Sequence, residues 1–341
     1  VSKGTISGFK AGKELNFNSL WSIARFFSNK IKKDLLKDWC AYLNKPQNIK
    51  HALEFLALNH YTDQLESLIK KVRKEQTNRI ILDFADAYEI LLMHLRNDEI
   101  IDVLTCIGKY RPKSEETEVL ATLIKINTLD RNREYKTMKS LMKGVKKSID
   151  SIEDDYIKSC YKIRLMELES RILLFHENNP EKAREVANKI IFSEIGARLV
   201  SQSYYIIGMS FLYSDYDKCI SNILKYREMN YDIGRHDQVE LIDNHDIPFI
   251  KNYWSKYLHR PETSDISEIA HYEARKGNSG ESLTLLEKAI EVDGESGFKL
   301  YYKGLATNDP NDFMESLIMF VKKGDRFFAQ LPYERLKNNA V

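Results

Sequence analysis

The sequence predicts an all-helical protein, and three observations carry that expectation. Apolar residues recur at helical spacing along almost the whole chain, as in Leu53 with Leu56, Leu65 with Ile69, and the series Ile80, Phe84, Tyr88 and Leu91. Alternating apolar and polar runs, the mark of half-buried strands, are hard to find. Only 7 Pro and 14 Gly punctuate 341 residues, and they fall between periodic segments, so neighbouring helices are joined by short links and must pack antiparallel. With 43 % hydrophobic and 30 % charged residues and a mean hydropathy of −0.45, the chain has apolar surface for a core and a soluble exterior. It has no run of eighteen apolar residues and no basic-then-apolar leader, so a cytoplasmic protein without a membrane partner is expected.

From the N-terminus, Ser2 is suited to cap a short helix carrying Thr5, Ile6 and Ser7, and Gly12 to end it. Asn18 or Ser19 then caps a second helix, whose Leu20, Ile23, Ala24 and Phe27 form one apolar face. Residues 1–44 therefore read as a partial helix-turn-helix followed by a linker helix. Lys3, Thr5, Ser7, Lys10 and Lys13 are its candidate contacts to double-stranded DNA: lysines and small hydroxyls hold phosphates, and the first helix enters the major groove. Charge agrees with this. Residues 1–80 hold fifteen Lys and Arg against seven Asp and Glu, about +8, while the remainder holds 37 against 43, about −6.

From residue 45 onward the spacing is that of helix pairs. Asn179-Pro180 and Asp309-Pro310 each start a helix with proline at its first position. Gly304, Ser316 and Phe320 fit the tetratricopeptide order of a small residue on one helix, a small one twelve later on the next, and a bulky one four further on. Ala270, Ser282 and Leu286 repeat it thirty-four residues earlier, and Leu174 to Gly208 is again thirty-four, the repeat length of that class. Residues 45–341 are thus expected to form a right-handed superhelical solenoid of tetratricopeptide-like helical pairs, stabilised by stacking. The four cysteines, Cys40, Cys106, Cys160 and Cys219, lie far apart in apolar helical patterns and read as buried small hydrophobes.

Two resemblances follow. SxxTIS-x-FKxGK followed by LxxIAxFF resembles the helix-turn-helix of the phage-repressor class, although Lys10 stands where that class has an acidic residue and its two preceding helices are not in this sequence. The stretches FNSLWSIARFF, LLKDWCAYLN and ALEFLALN, then RLVSQSYYIIGMSFLYSDYD, then LYYKGL and SLIMFVKKGDRFFAQLP, are together similar to the arbitrium receptors of Bacillus phages, in the same order over nearly the whole chain. That resemblance implies a homodimeric transcription regulator that binds operator DNA when peptide-free. A short secreted, AimP-like, arginine-containing signalling peptide then inactivates it in the solenoid groove, controlling the choice between lysis and lysogeny.

It also implies site residues. Arg198 falls on a peptide-contacting position and Asp325 on the acidic residue that pairs with the peptide's arginine. Asparagines of the family that clamp the peptide backbone fall here on Ile172, His176 and Met209, and a glutamine on Ser267, which implies a different peptide sequence. The family's C-terminal dimer helix is shortened, with only YERLKNNAV after Leu331-Pro332. Tyr204, Tyr205, Tyr301 and Tyr302 are placed either to line the peptide groove or to fill the core between repeats.

The competing reading is a tetratricopeptide-like adaptor that holds a protein partner and binds no DNA. An enzyme is not expected, since no P-loop, HExxH or GxSxG occurs, and no cofactor or catalytic residue follows from the sequence. The run RHDQVELIDNHD, residues 235–246, brings His236, Asp237, Asp243, His245 and Asp246 together. It reads as a loop and helix start with solvated polar caps rather than a metal site.

Overall fold

Polar caps and prolines set where the helices begin. Asn78 accepts the N–H groups of Ile80 and Ile81 at 2.9 and 3.3 Å, ahead of a helix over Arg79–Leu95. Ser114 and Thr117 cap each other ahead of Glu115–Asp130. Pro180 and Pro310 stand at the first positions of their helices, where a missing N–H costs nothing, and Asn179 and Asp309 provide the caps.

The computed structural model describes residues 2–24 and 29–339, without the side chains of Thr5, Asn18, residues 29–33 and Asn339. Every regular element among them is a helix. The chain divides into two compact units. Unit 1 comprises residues 1–131, 141–165 and 195–198. It holds α1 (Lys3–Lys10), α2 (Phe17–Ala24), α3 (Asn29–Cys40), α4 (Pro46–Leu58), α5 (Thr62–Glu75), α6 (Arg79–Leu95), α7 (Ile100–Lys109), α8 (Glu115–Asp130), most of α9 (Tyr135–Ser151) and the first part of α10 (Asp155–Arg171). Unit 2 comprises residues 132–140, 166–194 and 199–341. There a π-turn over Ile172–His176 continues α10, followed by α11 (Pro180–Ser193), α12 (Ala197–Met209), α13 (Tyr216–Asp232) and α14 (His236–Leu241). A second π-turn, Ile242–Asp246, leads into α15 (Ile247–Tyr253), and α16 (Ile266–Lys276), α17 (Ser279–Asp293), α18 (Gly297–Thr307), α19 (Pro310–Lys323) and α20 (Gln330–Asn339) complete the unit.

The expected boundary after residue 44 falls inside unit 1, because the front of the chain is tied to α4. Phe17 donates its N–H to Asn48 at 3.0 Å, Asn48 donates to Glu14 and to the Leu15 carbonyl, and Glu14 accepts the N–H groups of Asn44 and Lys45. The Phe17 ring is 1 % exposed and packs against Phe55 and Tyr156.

The 34-residue period appears as hydrogen bonds between equivalent helices. In unit 1, Tyr88 donates to Glu54 at 2.8 Å, Thr117 to Asp83 at 2.7 Å, and Thr128 pairs with His94 at 3.1 Å, each over a separation of 34 residues. In unit 2, Tyr302 donates to Glu268 over the same separation. Within helix pairs, the small residues fit as their spacing requires. Ser282 bonds the Ala270 carbonyl at 2.9 Å, Ser316 bonds the Gly297 carbonyl at 2.6 Å, and Gly304 lies flat against the Phe313 ring. A Cβ on Gly304 would stand 2.7 Å from that ring. Gly304→Ala is therefore expected to destabilise unit 2 by about 1–3 kcal/mol despite alanine's better helix propensity, measured by urea unfolding. A stabilised variant would show that the pair can open to admit a methyl group.

Three local expectations are corrected. The apolar stripe of α6 runs through Ile81, at 1 % exposure, and leaves Ile80 at 39 %, because the Asn78 cap fixes the helix start and hence its phase. The second helix is capped by Asn16, which accepts Ser19 N–H at 2.8 Å, rather than by Asn18 or Ser19. Three cysteines are buried, but Cys106 is only half-buried. Phe27 and the side chains of Thr5 and Asn18 lie outside the described residues. No described helix is long and apolar enough to cross a membrane.

Candidate functional site

Unit 2 builds a polar centre around the turn that follows α19. Gly324 ends α19 with φ +83°, a conformation that favours glycine, and a Cβ there would meet Lys136 at 2.9 Å and His176 at 3.0 Å. The next residues dock on the first π-turn. Arg326 and Phe327 donate their N–H groups to the Phe175 carbonyl at 2.8 and 3.1 Å, and His176 Nδ1 donates to the Gly324 carbonyl at 2.9 Å. Phe175 lies in the last turn of this helix, where carbonyls have no partner within the helix, so its C=O is free to accept from outside.

The turn holds Asp325 fully buried, at 0 % exposure. Its Oδ1 accepts Phe328 N–H at 3.0 Å and its Oδ2 accepts Arg133 Nη1 at 3.0 Å. Burial pushes the Asp325 carboxyl above its ordinary value, and the Arg133 guanidinium works against that rise. Arg133 reaches this place from a left-handed backbone, φ +56°, and its guanidinium rests over the rings of Phe298 and Phe328 at 5.1 and 4.9 Å. Charge, aromatic faces and a backbone cap thus converge on one carboxylate.

A second carboxylate lies in the other π-turn. Asp246 is half-buried, and burial raises its pKa from 3.8 to about 7, with Glu268 adding to the rise while His245 and Arg133 oppose it. From His236 to Asp246 the run is helical, not a loop, since α14 passes directly into the π-turn and Arg235 precedes it as the cap position. His245 pairs with Asp265 at 2.5 Å and Arg227 with Asp243 at 2.5 Å. Among the described residues no three His, Cys, Asp or Glu converge as metal ligands.

The other candidates are placed as follows. Ile172 and Met209 are buried in unit 2, at 4 % and 2 % exposure, and His176 is taken up by the Gly324 carbonyl. Ser267 is half-buried, with its N–H on Asp265, and Tyr204 is half-buried. Tyr302 is core, stacked on His271 at 4.1 Å. Tyr301 borders a cavity of about 740 Å³ whose lining includes Tyr213, Tyr253, Trp254, Arg275 and Arg335. Arg198 is buried but belongs to unit 1. In the N-terminal helix, Lys3, Ser7, Lys10 and Lys13 are all exposed, and Phe9 sets its edge on Trp39 at 6.1 Å. The partner of Asp325 is neither a helix cap alone nor neighbouring Arg326, but Arg133, 192 residues away.

Residues 32–338 match the family described as AimR transcriptional regulator-like. The chain belongs to the AimR family. It is 26 % identical to the AimR transcriptional regulator of Bacillus phage SPbeta over 338 residues, covering 96 % of this chain and 86 % of that protein. It is 24 % identical to the AimR transcriptional regulator of Bacillus phage phi3T over 332 residues, 94 % and 86 % of the two. The solved phAimR–ligand structure superposes with a TM-score of 0.82 at 23 % identity over 96 % of this chain and 98 % of that one. This AimR-family chain therefore has the helical solenoid fold of its relatives and the character of a phage transcription regulator.

Proposed function

We propose that this AimR-family chain is a peptide-controlled, DNA-binding regulator of the lysis–lysogeny decision, active on its operator when peptide-free. Unit 2 is the sensor in this reading. Its ligand is a short arginine-containing peptide, and Asp325 is the acceptor for that arginine. The observation that supports this most is the Asp325 site itself, which already accommodates a guanidinium between a buried carboxylate and two phenylalanine faces. Ile172, His176, Met209, Ser267, Tyr204, Tyr301 and Tyr302 would act around it, Ile172 and Met209 through the packing of the wall rather than as exposed contacts.

At the other end of the chain, Lys3, Lys10 and Lys13 are exposed around α1, and Thr5 and Ser7 are the candidates for base edges. Neutralising the three lysines as glutamines is expected to weaken operator binding at every sequence. If each meets a phosphate, the slope of log K against log salt should fall by about 2.7, from about 0.9 per contact. Fluorescence anisotropy on a labelled duplex from 50 to 200 mM salt measures it. An unchanged slope would move the DNA interface away from α1, and no salt-dependent duplex binding by the wild type would leave the adaptor reading.

A further inference from the structure

We propose that the junction between the ends of α15 and α16 binds inorganic phosphate, attracted by three cations and recognised through its remaining proton by the buried side chain of Asn252. The site lies wholly within unit 2 and does not depend on the peptide and DNA reading above.

Two independent observations carry it. The first is a group of cations without counter-charge. Lys251 in the last turn of α15, and Arg275 and Lys276 in the last turn of α16, line one cavity of about 70 Å³, and none of the three is ion-paired with a described residue. Lys251 Nζ lies over the Tyr257 ring at 5.2 Å and Lys276 Nζ over the Tyr272 ring at 5.6 Å, while the two rings meet edge to face at 6.2 Å. Arg275 is held by Nη2, which donates to the Tyr253 carbonyl at 3.1 Å and to Ser255 Oγ at 2.8 Å, whereas its Nε and Nη1 donate to no described residue. Ser255 stands at φ +52°, just past the end of α15, where Lys256 N–H returns to the Lys251 carbonyl at 2.8 Å. Glycine is the usual residue at such a cap, but only a side chain there can hold the guanidinium. The two helix ends oppose an anion by about half a charge each, and three full positive charges outweigh them by about two.

The second observation is a buried acceptor with nothing to accept. Asn252 lines the same cavity at 2 % exposure. Its Nδ2 donates to the Glu268 carbonyl at 2.8 Å and to Glu268 Oε2 at 3.1 Å, both of them acceptors, so the orientation of the amide is fixed. Tyr302 and His271 engage the same carboxylate. Asn252 Oδ1 is left buried without a partner, a costly state beside three cations unless the ligand is negative and still has a proton to give. That requirement narrows the chemistry. Sulfate and the phosphodiesters of DNA carry charge but no proton at neutral pH, and a phosphomonoester loses its last one at about pH 6. Inorganic phosphate keeps a proton throughout the neutral range. Its four oxygens match three cationic donors and one acceptor. A water takes about 30 Å³, so the cavity has room for about two, which suits a tetrahedral oxyanion and no nucleoside or peptide.

Titration calorimetry on the full chain tests this, with sodium phosphate, sodium sulfate and phenyl phosphate as probes in HEPES buffer above neutral pH and at fixed ionic strength. The expected result is one saturable site for phosphate, with sulfate and phenyl phosphate weaker by about tenfold or more, since each leaves Asn252 Oδ1 unpaired. Lys251→Gln and Lys276→Gln change side chains that reach solvent, and each is expected to weaken phosphate and sulfate alike by about fivefold. Asn252→Ala should keep the affinity for sulfate and abolish the advantage of phosphate over it. If that variant fails to melt cooperatively, the ratio of phosphate to sulfate affinity in the wild type decides alone. Equal affinity for those two ions overturns the inference by making the junction an unselective cation patch, and phenyl phosphate binding as tightly as phosphate overturns it in favour of a monoester. Phosphate binding that neither lysine variant moves places the ion elsewhere. No saturable phosphate binding overturns the inference outright, leaving the three cations as partners of the helix ends and Asn252 Oδ1 to a water.

Discussion

Arg164→Ala is expected to remove about 3–5 kcal/mol from the stability of unit 1, the cost of stranding a buried charge. The stranded group is Glu54, at 0 % exposure in the middle of α4. Arg164 approaches it from 110 residues away, with Nε on Oε1 at 2.8 Å and Nη2 on Oε2 at 2.9 Å, and Tyr88 donates to Oε2 at 2.8 Å. The two parallel bonds give this fork a fixed geometry, and the tyrosine satisfies a further lone pair. Taking away the arginine leaves a carboxylate with only the tyrosine and no water. Total stability is typically about 5–15 kcal/mol, so the loss should be visible as a large fall in the urea midpoint. Replacing both partners, as Glu54→Gln with Arg164→Met, should cost much less, because no ion is then left behind. A loss below about 1 kcal/mol for Arg164→Ala would mean that water reaches Glu54 and that the pair behaves like one on the surface.

The helix pairs were legible in the sequence because their signals are local. Caps, prolines and the small residues Ala270, Ser282, Gly304 and Ser316 act over one or two turns of chain, and each is found where its spacing places it. The polar centre was half legible. Asp325 stands out in KKGD through the family resemblance, but its partner lies in DRNRE, a polar stretch that reads as a solvated turn and carries no periodicity. No local pattern relates residues 192 positions apart. The two π-turns were invisible for a different reason. Their sequences, ILLFH and IDNHD, share no residue pattern, and what defines them is a shift of hydrogen-bond register imposed by packing. Asp246 was seen only as one of several polar residues in a row, whereas its environment is set by distant parts of the chain, with the charge of Glu268 on α16 raising its carboxyl further. The ladder Glu54–Tyr88, Asp83–Thr117 and Glu268–Tyr302 could have been found, since a polar pair recurring at the repeat length is a sequence signal.

Asp246→Asn is expected to stabilise the protein at pH 8 and to do so by only about a quarter as much at pH 4.5. The sign follows from linkage. The folded-state pKa is raised from 3.8 to about 7, so between those values the folded chain binds the proton more tightly than the unfolded chain does. Stability therefore falls as pH rises from about 4 to 7, and above 7 the full cost of the buried charge is present. The gap between 3.8 and about 7 would be worth about 4 kcal/mol for a group wholly shut off from water, at about 1.36 kcal/mol per pH unit. Asp246 is half-buried, so we expect about 1–3 kcal/mol, read as the difference in urea unfolding free energy between variant and wild type at the two pH values. Asparagine keeps the shape and removes only the ionisation, which is why the gain should shrink towards zero as the pH falls to 3.8, where the unfolded chain takes up the proton as well. An equal gain at both pH values would point to packing instead, and a loss at pH 8 would mean that Arg133 already holds Asp246 in the free protein. Asp325 shares this sign, since burial raises its carboxyl as well, but Asp325→Asn would also leave Arg133 without the carboxylate it is bonded to, so that variant does not isolate the cost of ionisation. Both carboxyls of unit 2 are raised by burial, so each charge costs the folded state as pH rises, and at Asp325 a bonded arginine offsets part of that cost.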